Sequence, residues 1–200
     1  MDNECTHRNG KEIFLMYTVK RHTAEIAVAE YLKDYVDIDG FLECCKECPN
    51  YNNVWTCPPF EFDPLEYWKQ YDTLEVYAQE IIFDEKYAGK CFSKSEMSKI
   101  IEQSIKVVKN ELTDELFELE KDFPGSVSLS AGSCIIFAEG CTKKDGKDCR
   151  FPEKQRYSIE ALGGNVGLTI SKLMGIDIEW VKEDILPSKF VLVCGLLKKS

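Results

Sequence analysis

Residues 189–197 read KFVLVCGLL, a near-continuous apolar run. Strands that lie inside a sheet carry such runs, because neither of their faces is exposed to water. The run therefore predicts a buried strand near the C-terminus. Cys194 lies within it and is expected to be a small core residue rather than a metal ligand.

The rest of the chain alternates between predicted strands and predicted helices. Further strands are predicted at residues 11–20, 74–83 and 126–137 from their apolar or alternating patterns. Helices are predicted at residues 24–35, 65–71, 96–120 and 158–174, with N-caps at Thr23 and Ser95 for the first and third. The expected fold class is α/β or α+β, with a single sheet of about four strands packed with about four helices. Two Cys-rich loops connect these elements.

Length and charge restrict the class of protein. Residues 1–200 suit a single cysteine-rich domain. The net charge of −10 and the pI of about 4.8 disfavour nucleic acid and anionic membranes as partners. No stretch approaches the roughly 18 apolar residues of a membrane span, and Met1–Glu4 lacks the basic start of a signal peptide. We therefore expect a cytoplasmic protein whose thiols stay reduced.

The first of two cysteine groups lies in residues 43–59, ECCKECPNYNNVWTCPP. Cys45 and Cys48 form a Cys-x2-Cys pair, and Cys57 stands directly before two prolines. A two-residue gap lets one turn of backbone direct two sulfurs to one ion, as in zinc sites and iron–sulfur sites. Cys44 is either a spare thiol or an alternative ligand, and Cys45 is preferred because the side chains of adjacent cysteines diverge. A thioredoxin-like dithiol site is disfavoured, because a proline follows the pair where a helix would begin.

The second group consists of Cys134, Cys141 and Cys149, separated by six and seven residues. Three thiols form an incomplete four-ligand site. The missing ligand could be a first-group cysteine, a carboxylate such as Glu139, water or a partner's group. The six cysteines could serve two three-thiol sites, or one four-thiol site with spares.

Basic residues are interleaved with the second group. Six lysines and arginines stand between residues 143 and 156, against three acidic residues. Nearby cations lower the pKa of thiols and stabilise a bound anionic cluster. Lys143, Arg150 and Arg156 are therefore predicted to contact the cofactor. The alternative is an ordinary solvated loop of charged residues.

Two motifs resemble those of an uncharacterised prokaryotic family of predicted metal-binding proteins. The motif residues are Cys45, Cys48, Tyr51, Trp55 and Cys57-Pro58-Pro59 in the first, and Cys149-Arg150-Phe151-Pro152 in the second. The second motif continues into the helix start at residues 156–161, RYSIEA. The resemblance covers most of the chain. It implies metal or iron–sulfur binding and no established reaction. One departure is that Phe137 occupies a middle position where the family often has a further cysteine, as in Cys-x2-Cys-x2-Cys.

Three functions fit these patterns. The first is a cytosolic protein that holds a 4Fe–4S iron–sulfur cluster for electron transfer or redox sensing, together with a redox protein partner. The metal ligands would be Cys45, Cys48, Cys57, Cys134, Cys141 and Cys149. The alternatives are a structural zinc protein that acts as a binding module, and a metalloenzyme with an open metal site and an anionic substrate.

Catalysis without a metal is disfavoured by the composition. His7 and His22 are the only imidazoles, and both are expected to be surface residues rather than general bases. Glu160, in the predicted helix at residues 158–174, could be a buried carboxylate, but an exposed helix charge is the preferred interpretation.

Overall fold

Four strands form one antiparallel sheet in the computed structural model, which describes residues 16–137, 139–182 and 184–199. The strand order is β1-β2-β4-β3. The strands are β1 (Tyr17–Ala27), β2 (Thr73–Phe83), β3 (Val127–Leu129) and β4 (Lys189–Lys198). The predicted class, a single sheet of about four strands packed with helices, is confirmed.

The central strand β4 presents alternate side chains to two separate cores. Val193 and Leu197 belong to the first core, whereas Leu192 and Cys194 belong to the second. Because side chains alternate between the faces of a strand, the two cores cover opposite faces of the sheet. This arrangement explains why the run at residues 189–197 is apolar at almost every position. Cys194 is 1% exposed, which confirms its expected place in the core.

Helices cover both faces of the sheet. The first core receives Tyr31 from α1 (Val28–Asp34), Trp68 from α3 (Pro64–Trp68) and Ile170 from α6 (Val166–Met174). The second core receives Ile100 from α4 (Lys94–Ile101) and Leu112 from α5 (Val107–Asp122). The result is a sheet between two layers of helix. No helix among the described residues is long and apolar enough to cross a membrane.

The long helix predicted at residues 96–120 is present with two differences. A π-helical turn, Glu102–Lys106, separates α4 from α5. The helix begins earlier than expected, because Ser93 rather than Ser95 is the N-cap. The Ser93 hydroxyl accepts from the Glu96 backbone N–H, and the Glu96 carboxylate accepts from the Ser93 backbone N–H, forming a capping box.

The first strand and first helix are shifted along the chain. The strand predicted at 11–20 is β1, and residues 11–15 lie outside the described residues. The helix predicted at 24–35 begins only at Val28, because β1 pairs with β2 as far as Ala27 opposite Thr73. Continuous pairing along an edge of the sheet outweighs the N-cap signal at Thr23.

Two elements predicted near the second cysteine group are shorter than expected. The strand predicted at 126–137 ends at Leu129, because the chain turns at Gly132, where φ is +61°. The helix predicted at 158–174 begins only at Val166. The preceding residues form a turn that ends at Gly163, where φ is +84°.

A further helix, α2 (Ile38–Lys46), was not predicted. Asp39-Gly40 was expected to break the chain into a loop, but the Asp37 carboxylate accepts from the Gly40 backbone N–H and caps the helix. The first cysteine group therefore starts on the last turn of a helix and not in a loop.

Candidate metal centre

The first cysteine segment, defined as residues 44–59, starts at the end of α2. Cys45 lies in the last turn of that helix, and the Cys48 backbone N–H donates to the Cys45 carbonyl at 3.0 Å. The Cys57 backbone N–H donates to the Val54 carbonyl, also at 3.0 Å. Two tight turns thus fix the backbone at these cysteines. Cys44 and Cys48 are exposed, whereas Cys45 and Cys57 are half-buried.

The second cysteine segment, defined as residues 134–152, folds around a small cavity. Cys134, Cys141 and Cys149 all line this cavity, whose volume is about 30 Å³. The sequence offered these three thiols as an incomplete four-ligand site, although gaps of six and seven residues match no single zinc-finger pattern. In the fold all three line the same cavity.

Trp55 joins the two segments. Its backbone N–H donates to Cys141 Sγ at 3.3 Å, and its indole N–H donates to the Lys147 carbonyl at 3.2 Å. The Lys143 ammonium lies 5.3 Å from the centre of the indole ring. A residue of the first segment is therefore in direct contact with a predicted ligand of the second.

Burial sets the protonation of the thiols. Burial, together with the nearby thiols of Cys48 and Cys45, raises the pKa of Cys57 to about 11, although Lys143 acts in the opposite direction. Burial likewise raises the pKa of Cys45 and of Cys134. These three thiols are thus protonated near neutral pH, and a metal that binds them must displace protons.

The predicted cofactor-contacting cations lie in different surroundings. Arg150 lines the cavity of the second segment, with its guanidinium 4.3 Å from the centre of the Phe137 ring. Arg156 is instead paired with Glu120 on α5 through two hydrogen bonds of 2.7 and 2.6 Å. Lys143 and Arg150 therefore lie beside the cysteine segments, whereas the guanidinium of Arg156 is held by α5.

Two charged residues inside the fold were missed by sequence reasoning. Lys109 on α5 is 8% exposed, and its ammonium donates to the carbonyl of Ser133, next to Cys134, at 2.5 Å. Burial lowers the pKa of Lys109, whereas the thiols of Cys194, Cys134 and Cys57 raise it. A lysine on the apolar side of α5, one residue after the buried Val108, is the signal that could have revealed it.

The second missed residue is Glu160, and its expected exposure on a helix is wrong. It lies in the turn before α6, and its Oε2 atom is buried with no hydrogen-bond partner. Burial raises the pKa of its carboxyl group. Its neighbours Ile159 and Leu162 are fully buried, and this apolar context is the signal that could have been used.

The cysteine sulfurs of the described residues are suitable ligands for a thiophilic metal, but they do not lie close enough together to enclose one. Thiolates are the ligands that zinc and iron–sulfur clusters take up. Across residues 16–137, 139–182 and 184–199, no three Cys, His, Asp or Glu side chains stand close enough together to enclose a metal ion. Binding by three or more of them therefore requires the segments to draw together.

A comparison with models of protein families identifies the family of this chain. The model of a family described as "Predicted metal-binding protein (DUF2284)" matches residues 34–197. The chain belongs to this family. The expected resemblance to a family of predicted metal-binding proteins is confirmed, and the DUF2284 match includes both cysteine segments. No curated protein and no solved structure matches the chain.

Proposed function

We propose that this DUF2284 protein holds an iron–sulfur cluster of the 4Fe–4S type through cysteine thiolates and uses it for electron transfer or redox sensing. The candidate ligands are Cys45, Cys48 and Cys57 from the first segment and Cys134, Cys141 and Cys149 from the second, and a 4Fe–4S cluster takes four thiolates. The protein acts in the cytoplasm with a redox protein as its partner.

The observation that carries this proposal is the contact between the two segments. Trp55 stands two residues before Cys57 and donates its backbone N–H to Cys141 Sγ at 3.3 Å. An N–H group that donates to a cysteine sulfur stabilises the thiolate form and helps to set the potential of a bound cluster. The backbone of one segment is thus already oriented toward a thiol of the other.

The basic residues of the second segment favour an anionic iron–sulfur cluster over an uncharged ligand. Thiolates and sulfide give an iron–sulfur cluster net negative charge, and the second segment carries its basic residues where they can compensate it. Lys143 acts on Cys57, and Arg150 lines the cavity of the second segment. The whole chain has a net charge of −10, so the excess of cations in this segment is opposite in sign to the charge of the chain.

Structural zinc is the second candidate, and the cavity of the second segment favours it. Cys134, Cys141 and Cys149 all line that cavity, and three thiolates with one further donor form the four-ligand set that zinc takes. In the zinc case the metal ties the segments to the sheet and contributes folding energy.

Anaerobic purification followed by a visible spectrum and analysis for iron, zinc and acid-labile sulfide tests the proposal. Broad absorption near about 400 nm with matched iron and sulfide is the expected result for a cluster. A colourless protein that contains zinc would support structural zinc, the second candidate, instead of a cluster. Protein without any metal, both as purified and after reconstitution, would overturn metal binding itself.

Cysteine variants test the ligand assignment. Cys45→Ser and Cys57→Ser should each remove most of the bound metal, because each deletes a ligand. Cys44→Ser is the matched control, since this exposed thiol is adjacent to Cys45 in sequence. Equal metal content in all three variants would show that the assigned thiols are not ligands.

A further inference from the structure

One face of α5 lines a second cavity of the protein. Lys109, Thr113, Leu116 and Phe117 line this cavity, and their spacing along the chain places them on a single side of the helix. Residues 133–136 line it as well. The cavity therefore lies between α5 and the chain that leads into the second cysteine segment.

Lys109 brings a positive charge into this cavity. The residue is only 8% exposed, and its ammonium donates to the Ser133 carbonyl at 2.5 Å. Among residues 16–137, 139–182 and 184–199, this ammonium has no carboxylate within ion-pair distance and no further hydrogen-bond acceptor. An ammonium group can donate three hydrogen bonds, and lysines are rarely this buried unless an anion is their partner. The chain itself thus leaves this buried charge without a counter-ion.

Most other polar side chains of the cavity already have partners within the chain. The hydroxyls of Thr113, Ser128 and Ser130 each donate to a carbonyl or carboxylate oxygen. The guanidinium of Arg156 is paired with a carboxylate of α5. The Ser133 hydroxyl, by contrast, forms no hydrogen bond with any described residue. The donors left for a ligand are therefore this hydroxyl and the buried ammonium.

The rest of the lining decides the kind of anion, because much of it is apolar. Leu116, Phe117, Ile135 and Ile136 supply this apolar part. Phosphate binds best where several donors surround it, whereas an organic carboxylate needs few donors and gains from apolar contact. We propose that the cavity binds a small organic carboxylate, whose charged end pairs with Lys109 and whose apolar chain packs against these side chains. This inference goes beyond the proposed function and does not depend on it, because no metal takes part.

The cavity adjoins the candidate metal centre. Cys134 lines both this cavity and the cavity of the second segment, so a carboxylate bound to Lys109 lies beside a candidate metal ligand. The exposed Lys154 also lines the cavity and adds positive charge on the side that faces solvent. The alternative partner of the buried ammonium is the Cys134 thiolate itself, in protein that has bound a metal. The ammonium would then be occupied, and an added carboxylate would not bind.

The test uses the full chain as purified, with trifluorobutyrate as the probe. Binding broadens the fluorine NMR signal of the probe, and a titration gives its dissociation constant. Lys109→Met removes the charge with little change in side-chain length, and it should weaken binding by about tenfold or more, because a charge-assisted hydrogen bond is lost. Lys121→Met is the matched control, since Lys121 lies on the same helix but pairs with Glu118 at the surface. This control should bind the probe as the wild type does.

Two further probes on the wild type make the test independent of any variant. Trifluorobutyramide, which has the same chain but no charge, should bind at least about tenfold more weakly than trifluorobutyrate. Inorganic phosphate should displace trifluorobutyrate only weakly, because it gains nothing from the apolar lining.

The inference is overturned if the wild type does not bind trifluorobutyrate, or if Lys109→Met binds it with unchanged affinity. Tighter binding of phosphate than of trifluorobutyrate would overturn the assignment of an organic acid. If Lys109→Met does not fold, the two butyryl probes decide: weaker binding of the amide supports the inference, and equal binding of amide and carboxylate overturns it.

Discussion

Gly163 holds the turn that carries Glu160 against the start of α2. Its carbonyl accepts from the Asp37 backbone N–H at 2.8 Å, and its φ is +84°. A Cβ atom at this position would lie 2.7 Å from Ile38 Cα. Both the backbone conformation and the close approach of α2 therefore require glycine.

Gly163→Ala should lower the free energy of unfolding by about 2–4 kcal/mol, because strain at positive φ adds to a clash with backbone. Gly89→Ala is the matched control, since Gly89 has φ of +71° but nothing within 4 Å of its would-be Cβ. The control should lose about 1 kcal/mol from strain alone. Urea unfolding of both variants measures the difference, and equal losses would show that the contact with α2 is not tight.

At the scale of elements, α5 is tied to the second cysteine segment and its surroundings by two charged side chains. Lys109 bonds to Ser133, and Glu120 binds Arg156 shortly after that segment ends. Glu120 also accepts from the backbone N–H and the hydroxyl of Ser128 on β3, each at 2.6 Å. The helix thus fixes both the start of the segment and the chain that follows it.

The Glu120 interaction gives a pH dependence. Burial by itself would raise the pKa of Glu120, but hydrogen bonds from Arg156 and Ser128 outweigh it and lower the pKa below the ordinary value of 4.5. A carboxyl group whose pKa is lower in the folded state stabilises the protein above the unfolded value. That stabilisation is lost as the pH falls through the folded-state pKa.

Glu120→Gln should therefore be less stable than the wild type at pH 7, and the difference should shrink as the pH falls below about 4.5. Glu118→Gln is the control, because Glu118 lies on the same helix but pairs with Lys121 at the surface. Its effect should stay below about 1 kcal/mol at every pH. Denaturant unfolding from pH 7 to pH 3 measures both, and a constant difference for Glu120→Gln would contradict the assignment.

The sequence predicted some elements well because their signals are local. β2 and β4 carry apolar patterns that tertiary contacts do not override, and the long helix at α4 and α5 has a clear stripe of apolar residues. The C-terminal end of β1 depends on its pairing with β2, and the end of β3 depends on the turn at Gly132. No local pattern in the sequence reveals either of them. For α2, the cap at Asp37 was overlooked in favour of the Asp39-Gly40 turn signal.

The residues of the candidate site likewise fall into those that the local sequence predicts and those that only the fold brings near the thiols. The cysteines were predicted as ligands from their spacing and from the motif of the first segment, because ligand spacing is a local property of the sequence. Lys109 is distant in sequence from both motifs, and only the fold brings its charge to bear on the thiols. A shared cavity for Cys134, Cys141 and Cys149 likewise depends on the folded path of the second segment.

At the scale of the whole molecule, the sheet and its two cores are independent of the cysteine segments. Of the described residues in the two cysteine segments, none is a buried member of either core. The buried members come from strands, helices and adjoining turns, such as Leu74, Ile81 and Leu112. We therefore expect a metal bound as proposed to organise the segments without being required for the sheet.

Removing the metal with a chelator should leave the sheet folded and loosen the segments. Hydrogen exchange at the Cys48 and Cys57 backbone N–H groups should accelerate by at least about tenfold, because local opening of weakly packed regions sets such rates. Amides of β2 and β4 should exchange at unchanged rates. Global unfolding on chelation, as in a zinc finger, would show that the metal supports the cores as well.

The position of Trp55 gives the protein a built-in optical signal. Its indole bonds to the second segment while its backbone bonds to Cys141 Sγ, so any closure of the two segments changes the surroundings of the ring. Trp68 is fully buried in the first core and Trp180 is 71% exposed, so both give a background that does not depend on the segments. We therefore expect the fluorescence of the unlabelled chain to follow, in real time, the filling and emptying of the proposed cysteine centre.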